Sequence, residues 1–141
     1  MKATAIYPEK AHALYDQHGY SPALRSGDLL FVSGQVGALP DGSPEPDVAR
    51  QTRLAFENLS AVLKAADATF EDVVDVTIFV VDPQANLEAI MPVMAEYYGE
   101  KPYPNATVVG VTWLSGFAFE IKAIARLPKS LAPSDHVDVR S

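Results

Sequence analysis

From Ala55 onward, apolar residues recur at helical spacing. Ala55, Leu59, Val62 and Ala66 fall at i, i+4, i+7 and i+11, Phe56 and Leu63 widen the stripe, and Arg53, Glu57 and Lys64 lie off it. That pattern predicts an amphipathic helix that buries one face. The stretch Leu39–Pro46 before it is a loop by its proline and glycine content, and Asp47 is placed to accept from the unpaired first-turn amides. Leu87, Ile90, Met91, Met94 and Tyr98 predict a second helix, with Gly99 as its stop. Pro92 lies inside it. A mid-helix proline deletes one ladder bond and clashes with the preceding turn at a cost of about 3 kcal/mol. The helix therefore either kinks there or its regular part starts near Met91.

Other segments carry strand signals. Val73–Val81 is dense in β-branched residues and reads as a buried strand that Asp82-Pro83 ends. Ala23–Ser26 and Leu29–Ser33 flank Gly27-Asp28, a tight-turn pair, and predict a hairpin. Ala106–Trp113 and Phe117–Arg126 surround Leu114-Ser115-Gly116 and predict another hairpin; in the second strand Phe117, Phe119, Ile121, Ala123 and Ala125 are all apolar at period two. With a short strand at the start, the order is strand, hairpin, helix, strand, helix, hairpin. This is an α+β layer, a mixed β-sheet with two helices on one face. On the other face Glu120 and Lys122 sit beside Ala118 and Ile124. A half-apolar face suits a subunit interface better than bulk water, so an oligomer is expected.

At 141 residues, 48% hydrophobic and 21% charged, the chain is one ordinary globular domain, expected over residues 1–128. Residues 129–141 have no apolar period and read as a tail. The absence of cysteine excludes disulfides, thiolate nucleophiles and Cys-type metal sites, and fits a reducing, cytoplasmic setting. No export signal or membrane span is read, because Pro8 and Glu9 interrupt the start and Asp75 interrupts the longest apolar run. Acidic side chains outnumber basic ones 18 to 11, for a net charge of −7, which argues against a nucleic-acid partner.

Candidate chemistry is sparse. Ser33-Gly34-Gln35-Val36-Gly37 lacks the glycine that a GxSxG elbow needs two residues before its serine, since Phe31 stands there. A strand-end serine followed by glycines that let backbones approach is the default, and a ligand-lining role for Ser33 or Gln35 the alternative. His12 and His18 are too far apart for one helical turn and have no acidic partner pattern, so no metal site is expected. Tyr15, Tyr20, Tyr103 and Trp113 could wall an aromatic pocket or serve as core and interface anchors. Glu120, projecting from a well-patterned strand, either holds a water and moves a proton or forms an ion pair with Lys122 or Arg126. Asn105, between Pro104 and a strand, reads by itself as a turn residue.

Three blocks taken together resemble the Rid family, also called YjgF/YER057c/UK114: YSPALRSGDLLFVSGQVG (Tyr20–Gly37), QTRLAFENL (Gln51–Leu59) and FEIKAIARLP (Phe119–Pro128). The run PYPNATVVGVTWLSGFAFEIKAIARLP (Pro102–Pro128) looks most like the YjgH-like branch. The resemblance implies a chorismate-mutase-like fold and a homotrimer whose sheets form a central barrel, with clefts between adjacent subunits. It also implies hydrolysis of reactive enamines and imines such as 2-aminoacrylate, without metal or organic cofactor. In the family an arginine anchors the substrate carboxylate and a glutamate on the last strand helps hold the attacking water. Glu120 matches that glutamate, and Tyr20 and Ser33 match pocket-lining residues. Asn105 stands at the arginine position, Thr107 at that of the pocket cysteine, and the second-helix asparagine is not recovered near Ile90 and Met91.

A charged hydrogen bond contributes about 1.5–3 kcal/mol and a neutral one about 0.5–1.5, so this pocket should bind a carboxylate at least about tenfold more weakly. The expectation is a small-molecule cleft lined by Tyr20, Ser33, Tyr103, Asn105 and Thr107, with Glu120 as the catalytic candidate. It hydrolyses an imine or enamine without a carboxylate, or alternatively is a non-catalytic ligand-binding or regulatory module.

Overall fold

The computed structural model describes residues 3–128, so the expected tail, 129–141, lies outside the described residues. Ten short and long elements follow one another: β1 (Thr4–Ile6), α1 (Leu14–His18), β2 (Ala23–Ser26), β3 (Leu29–Val36), α2 (Val48–Ala65), a 3₁₀ turn (Phe70–Asp72), β4 (Val73–Val81), α3 (Pro83–Tyr98), β5 (Asn105–Val111) and β6 (Phe119–Arg126). The strands form one six-stranded mixed sheet in the order β1-β2-β3-β6-β4-β5.

The predicted helix α2 forms as its stripe requires. Ala55, Phe56, Leu59, Val62 and Leu63 are fully buried, and Asp47 accepts from the Arg50 amide at 3.0 Å. Arg53, off the stripe, makes a two-pronged ion pair with Glu96 on α3, each N–O distance 3.0 Å. Beneath the two long helices, Val76, Ile78 and Val80 of β4 interleave with Phe119, Ile121, Ala123 and Ala125 of β6 in one core. The period-two reading of β6 holds, for its odd positions are buried and its even positions are not.

One expectation is corrected. The segment Leu114-Ser115-Gly116 does not close a hairpin. Instead β5 runs parallel to β4, and β6 inserts antiparallel between β3 and β4. The physical reason lies in α3. A helix between two strands returns the chain to its starting end, so the strands it joins pair in parallel. β5 is therefore left at the edge, exposed on both faces over most of its length. At Pro92, where two alternatives were open, the late start is excluded: α3 starts at Pro83 and runs through Pro92 to Tyr98. Pro92 and Glu88, the residue whose carbonyl it deprives of a partner, both lie on the exposed side, where water takes the missing donor's place. Met91 is half exposed and Val93 takes its place in the buried stripe. The short helix α1 carried too few residues to show a period and was not predicted.

One buried side chain ties the layers together. Gln51, in the first turn of α2, accepts from the Ala118 amide at 2.7 Å and donates to the Glu45 carbonyl at 2.9 Å. Its own backbone carbonyl lies against Gly37, so closely that no other residue fits there without a shift of the helix. Gln51 thus sets where β6 begins relative to the end of β3. Gln51→Leu is expected to lower unfolding free energy by about 1–3 kcal/mol, the cost of leaving those partners unpaired, with an unchanged m-value in urea titration.

Candidate functional site

The site grows from an irregularity in β3. Between Val32 and Gln35 the ladder to β6 changes register, so Ser33 and Gly34 bulge out of the pairing. This places Gly34 directly against the Glu120 carboxylate; a methyl group on Gly34 would overlap Glu120 Oε2. Glu120 is paired on one side with Val36 and on the other with Phe79, so it stands mid-sheet on the face away from the long helices.

Glu120, Tyr20, His18 and Ser115 supply polar groups to a cavity of about 260 Å³ whose apolar wall includes Leu14, Val36, Leu114 and Phe117. Burial pushes the Glu120 carboxyl above its ordinary value, and the Lys122 charge only partly offsets this. Burial also raises the Tyr20 phenol, helped by the negative Glu120 nearby. The ion pair offered as an alternative does not form: among the described residues Glu120 has no ion-pair partner, and Arg126 meets Asp28 at 4.0 Å instead. A half-buried carboxylate with a raised affinity for protons and no counter-ion can accept a proton from water.

The remaining expected site residues lie apart. Ser33 donates to the Ser21 carbonyl at 2.7 Å, which ties β3 to the segment before β2. Gln35 is fully buried, accepts from Tyr15 Oη at 2.9 Å and donates to the Ser33 carbonyl at 3.2 Å. Of the proposed aromatic wall, Tyr20 and Trp113 border the Glu120 cavity. Tyr15 is a core residue, stacked on His12 with ring centroids 4.3 Å apart, and Tyr103 borders a separate apolar cavity with Met91, Met94 and Tyr98. No group of three or more His, Cys, Asp or Glu among the described residues is arranged to hold a metal.

Asn105 and Thr107 sit on edge strand β5. The registers Glu120↔Phe79, Thr107↔Thr77 and Asn105↔Asp75 put all three side chains on one face of the sheet. They also fix the separation. Two strand spacings across, with two or four residues along, place Thr107 roughly 12 Å and Asn105 roughly 16 Å from Glu120 between Cα atoms. A small ligand cannot bridge Asn105 and Glu120 within one copy of the chain.

Gly34, Asp75 and the apolar wall were not singled out from the sequence. Gly34 had a signal, since glycines after Ser33 were read as permitting close approach, but the sequence does not say what approaches. Comparison with known proteins places this geometry in context. The family profile described as Endoribonuclease L-PSP matches residues 10–127. The chain belongs to this family, the Rid (YjgF) family. It is 58% identical over 129 residues to the RutC family protein YjgH of Escherichia coli K12, covering 92% of this chain and 98% of that one. A solved structure of protein YjgH superposes with a TM-score of 0.88, covering 92% of this chain and all of that one. TdcF of Escherichia coli K12, whose name places it among reactive intermediate deaminases, is 32% identical over 110 residues, 75% of this chain and 84% of the relative. The structure of E. coli TdcF with bound serine superposes with a TM-score of 0.78 at 29% identity, covering 89% of this chain and 98% of that one.

Two predictions follow from the Gly34–Glu120 contact. Gly34→Ala is expected to fold within about 1 kcal/mol of wild type, because the obstructing atom is the free end of a side chain that can swing to another rotamer. A crystal structure should show the Glu120 carboxylate displaced. The raised Glu120 pKa has a stability consequence whose sign is definite. A carboxyl whose folded pKa exceeds its unfolded one costs nothing below the unfolded value and destabilises as pH rises through the folded value. Glu120→Gln should therefore raise Tm at pH 7 and lose that advantage near pH 4, by differential scanning calorimetry.

Proposed function

We propose that this chain is a cytoplasmic, homotrimeric Rid protein that hydrolyses a small imine or enamine carrying no carboxylate, in clefts shared between neighbouring copies. The observation that carries this reading is the Glu120 carboxylate, which faces a cavity beside Tyr20 without a counter-ion. Burial raises its proton affinity above that of an ordinary carboxylate, which makes it a stronger base once ionised. Glu120 takes a proton from water as the water oxygen bonds to the carbon of the protonated imine, and the C=N bond becomes single. Glu120 then hands that proton to the nitrogen, the C–N bond breaks, ammonia leaves, and the hydroxyl proton passes through Glu120 to solvent, leaving a carbonyl product. The proposed reaction calls on Glu120 to relay each proton and on no metal or organic cofactor.

Sharing between copies is supported by the separation of Asn105 and Glu120 and by the character of β5. Its edge has no strand partner among the described residues, and Val108 is 53% exposed. Trp113, just beyond, is 73% exposed. An exposed apolar edge strand is a surface that another chain covers. In this assembly Tyr103, Asn105 and Thr107 of one copy complete the cleft that Glu120, Tyr20 and Ser33 of its neighbour begin. The relation to TdcF supports the reaction class. The family description names an endoribonuclease, yet a net charge of −7 opposes binding to a phosphate backbone, and retention on RNA at physiological salt would overturn this part of the reading. A ligand-binding module without catalysis is the second reading, favoured by the Asn105 amide being already engaged with Asp75 at 2.6 Å.

The test is turnover of a panel of neutral and anionic imines. Wild type should hydrolyse neutral members above background, and Glu120→Gln should lower kcat about 10²-fold or more. Background rates for both proteins would remove the catalytic reading and leave the binding module. The kcat/KM profile is expected to fall on the acid side at a pH above the usual carboxylate range of about 4.3, because Glu120 must be ionised to act and its pKa is raised.

A further inference from the structure

The outer sheet face holds a polar contact that the mechanism above does not use. Asn105 opens β5 directly opposite Asp75 on β4, and Asn105 Nδ2 donates to Asp75 Oδ1 at 2.6 Å. An ionised carboxylate can only accept hydrogen bonds, so the pairing fixes which end of the amide faces it. The Asn105 carbonyl is turned the other way. What the pair leaves for a ligand is that carbonyl, the unused Asp75 lone pairs and one amide N–H. Acceptors outnumber donors, and the formal charge is negative.

The surroundings do not cancel that charge. Among the described residues Asp75 has no ion-pair partner. The other neighbour of Asp75 is Ile124 on β6, and Lys122 stands in the adjacent row opposite Thr77, exposed to solvent. Glu120, one row further, adds a second carboxylate to the same face. A carboxylate ligand brought to Asn105 would meet Asp75 at hydrogen-bond distance and be repelled, whereas an N–H-bearing cation finds a charged acceptor and a carbonyl side by side. The acidic surface of the whole chain steers in the same direction.

We propose that the Asp75–Asn105 pair recognises the nitrogen-bearing end of the ligand, so that the cleft takes a cationic or N–H-rich head group, such as an ammonium, an amidinium or a protonated imine, and excludes a carboxylate there. This rests on the reading that Asn105 belongs to the ligand cleft.

Three isosteric probes separate the possibilities: isobutyramidinium, isobutyramide and isobutyrate, titrated into the full ¹⁵N-labelled chain at pH 7 and physiological salt. The amidinium should bind at least tenfold more tightly than isobutyrate and shift the Asp75 and Asn105 resonances. Asp75→Asn, which keeps shape and an acceptor but removes the charge, should weaken amidinium at least tenfold and leave isobutyramide within about twofold. Tighter binding of isobutyrate, held through Lys122, overturns the proposal. So does an amidinium affinity that Asp75→Asn leaves unchanged, or no measurable amidinium binding. Glu120→Gln distinguishes the two levels of the argument. If that variant alone removes the amidinium preference, the head-group assignment falls and the cleft stands. If it leaves imine turnover at wild-type rates while Asp75→Asn abolishes the preference, the catalytic reading falls and the head-group assignment stands.

Discussion

The ladders of β6 to β3 on one side and to β4 on the other hold this molecule in its arrangement. A strand hydrogen-bonded along both edges and buried beneath two helices has little freedom in register, because a one-residue slip would exchange Phe119, Ile121 and Ala123 for Glu120, Lys122 and Ile124 in the core. Gln51 fixes where that strand starts by accepting from Ala118. β6 lies along one edge of β4, and β5, the strand that follows α3, lies along the other. The exposed character of β5 and the mid-sheet position of Glu120 are two results of one insertion.

The carboxylate of Glu120 is held by that insertion at a cost. Its charged form is disfavoured by burial and lacks a counter-ion, and Gly34 leaves just enough room for it. Such an arrangement is unfavourable for folding, and it is the kind of environment in which the proposed proton transfer by Glu120 would take place. The bulge at Ser33 and Gly34 serves the same end, since it brings a residue without a side chain beneath the one group that needs space.

The polar pattern of the outer face runs in rows: Glu120 with Phe79 and Val109, Lys122 with Thr77 and Thr107, Ile124 with Asp75 and Asn105. The two outer rows mix polar and apolar side chains and the middle one is polar throughout, so neither bulk solvent nor a dry core suits this face alone. The rows also separate the unpaired glutamate at one end from the Asp75–Asn105 pair at the other, too far apart for one small ligand to engage both within a single copy.

Much of this was legible in the chain. Period and capping determined α2, the burial of β6 and the β2–β3 hairpin, because those signals depend on residues near in sequence. The shared blocks pointed to the Rid family. Glu120 stood out for the same local reason, a carboxylate in a strand whose other face is wholly apolar. Tertiary structure alone decided the rest. Strand order depends on which edges pair across the whole sheet, and no local pattern carries that. The contact of Gly34 with Glu120, the loss of the expected Glu120 ion pair and the turn of the Asn105 amide toward Asp75 each join residues from different strands. Such distances are set by register and bulges across the sheet rather than by spacing along the chain.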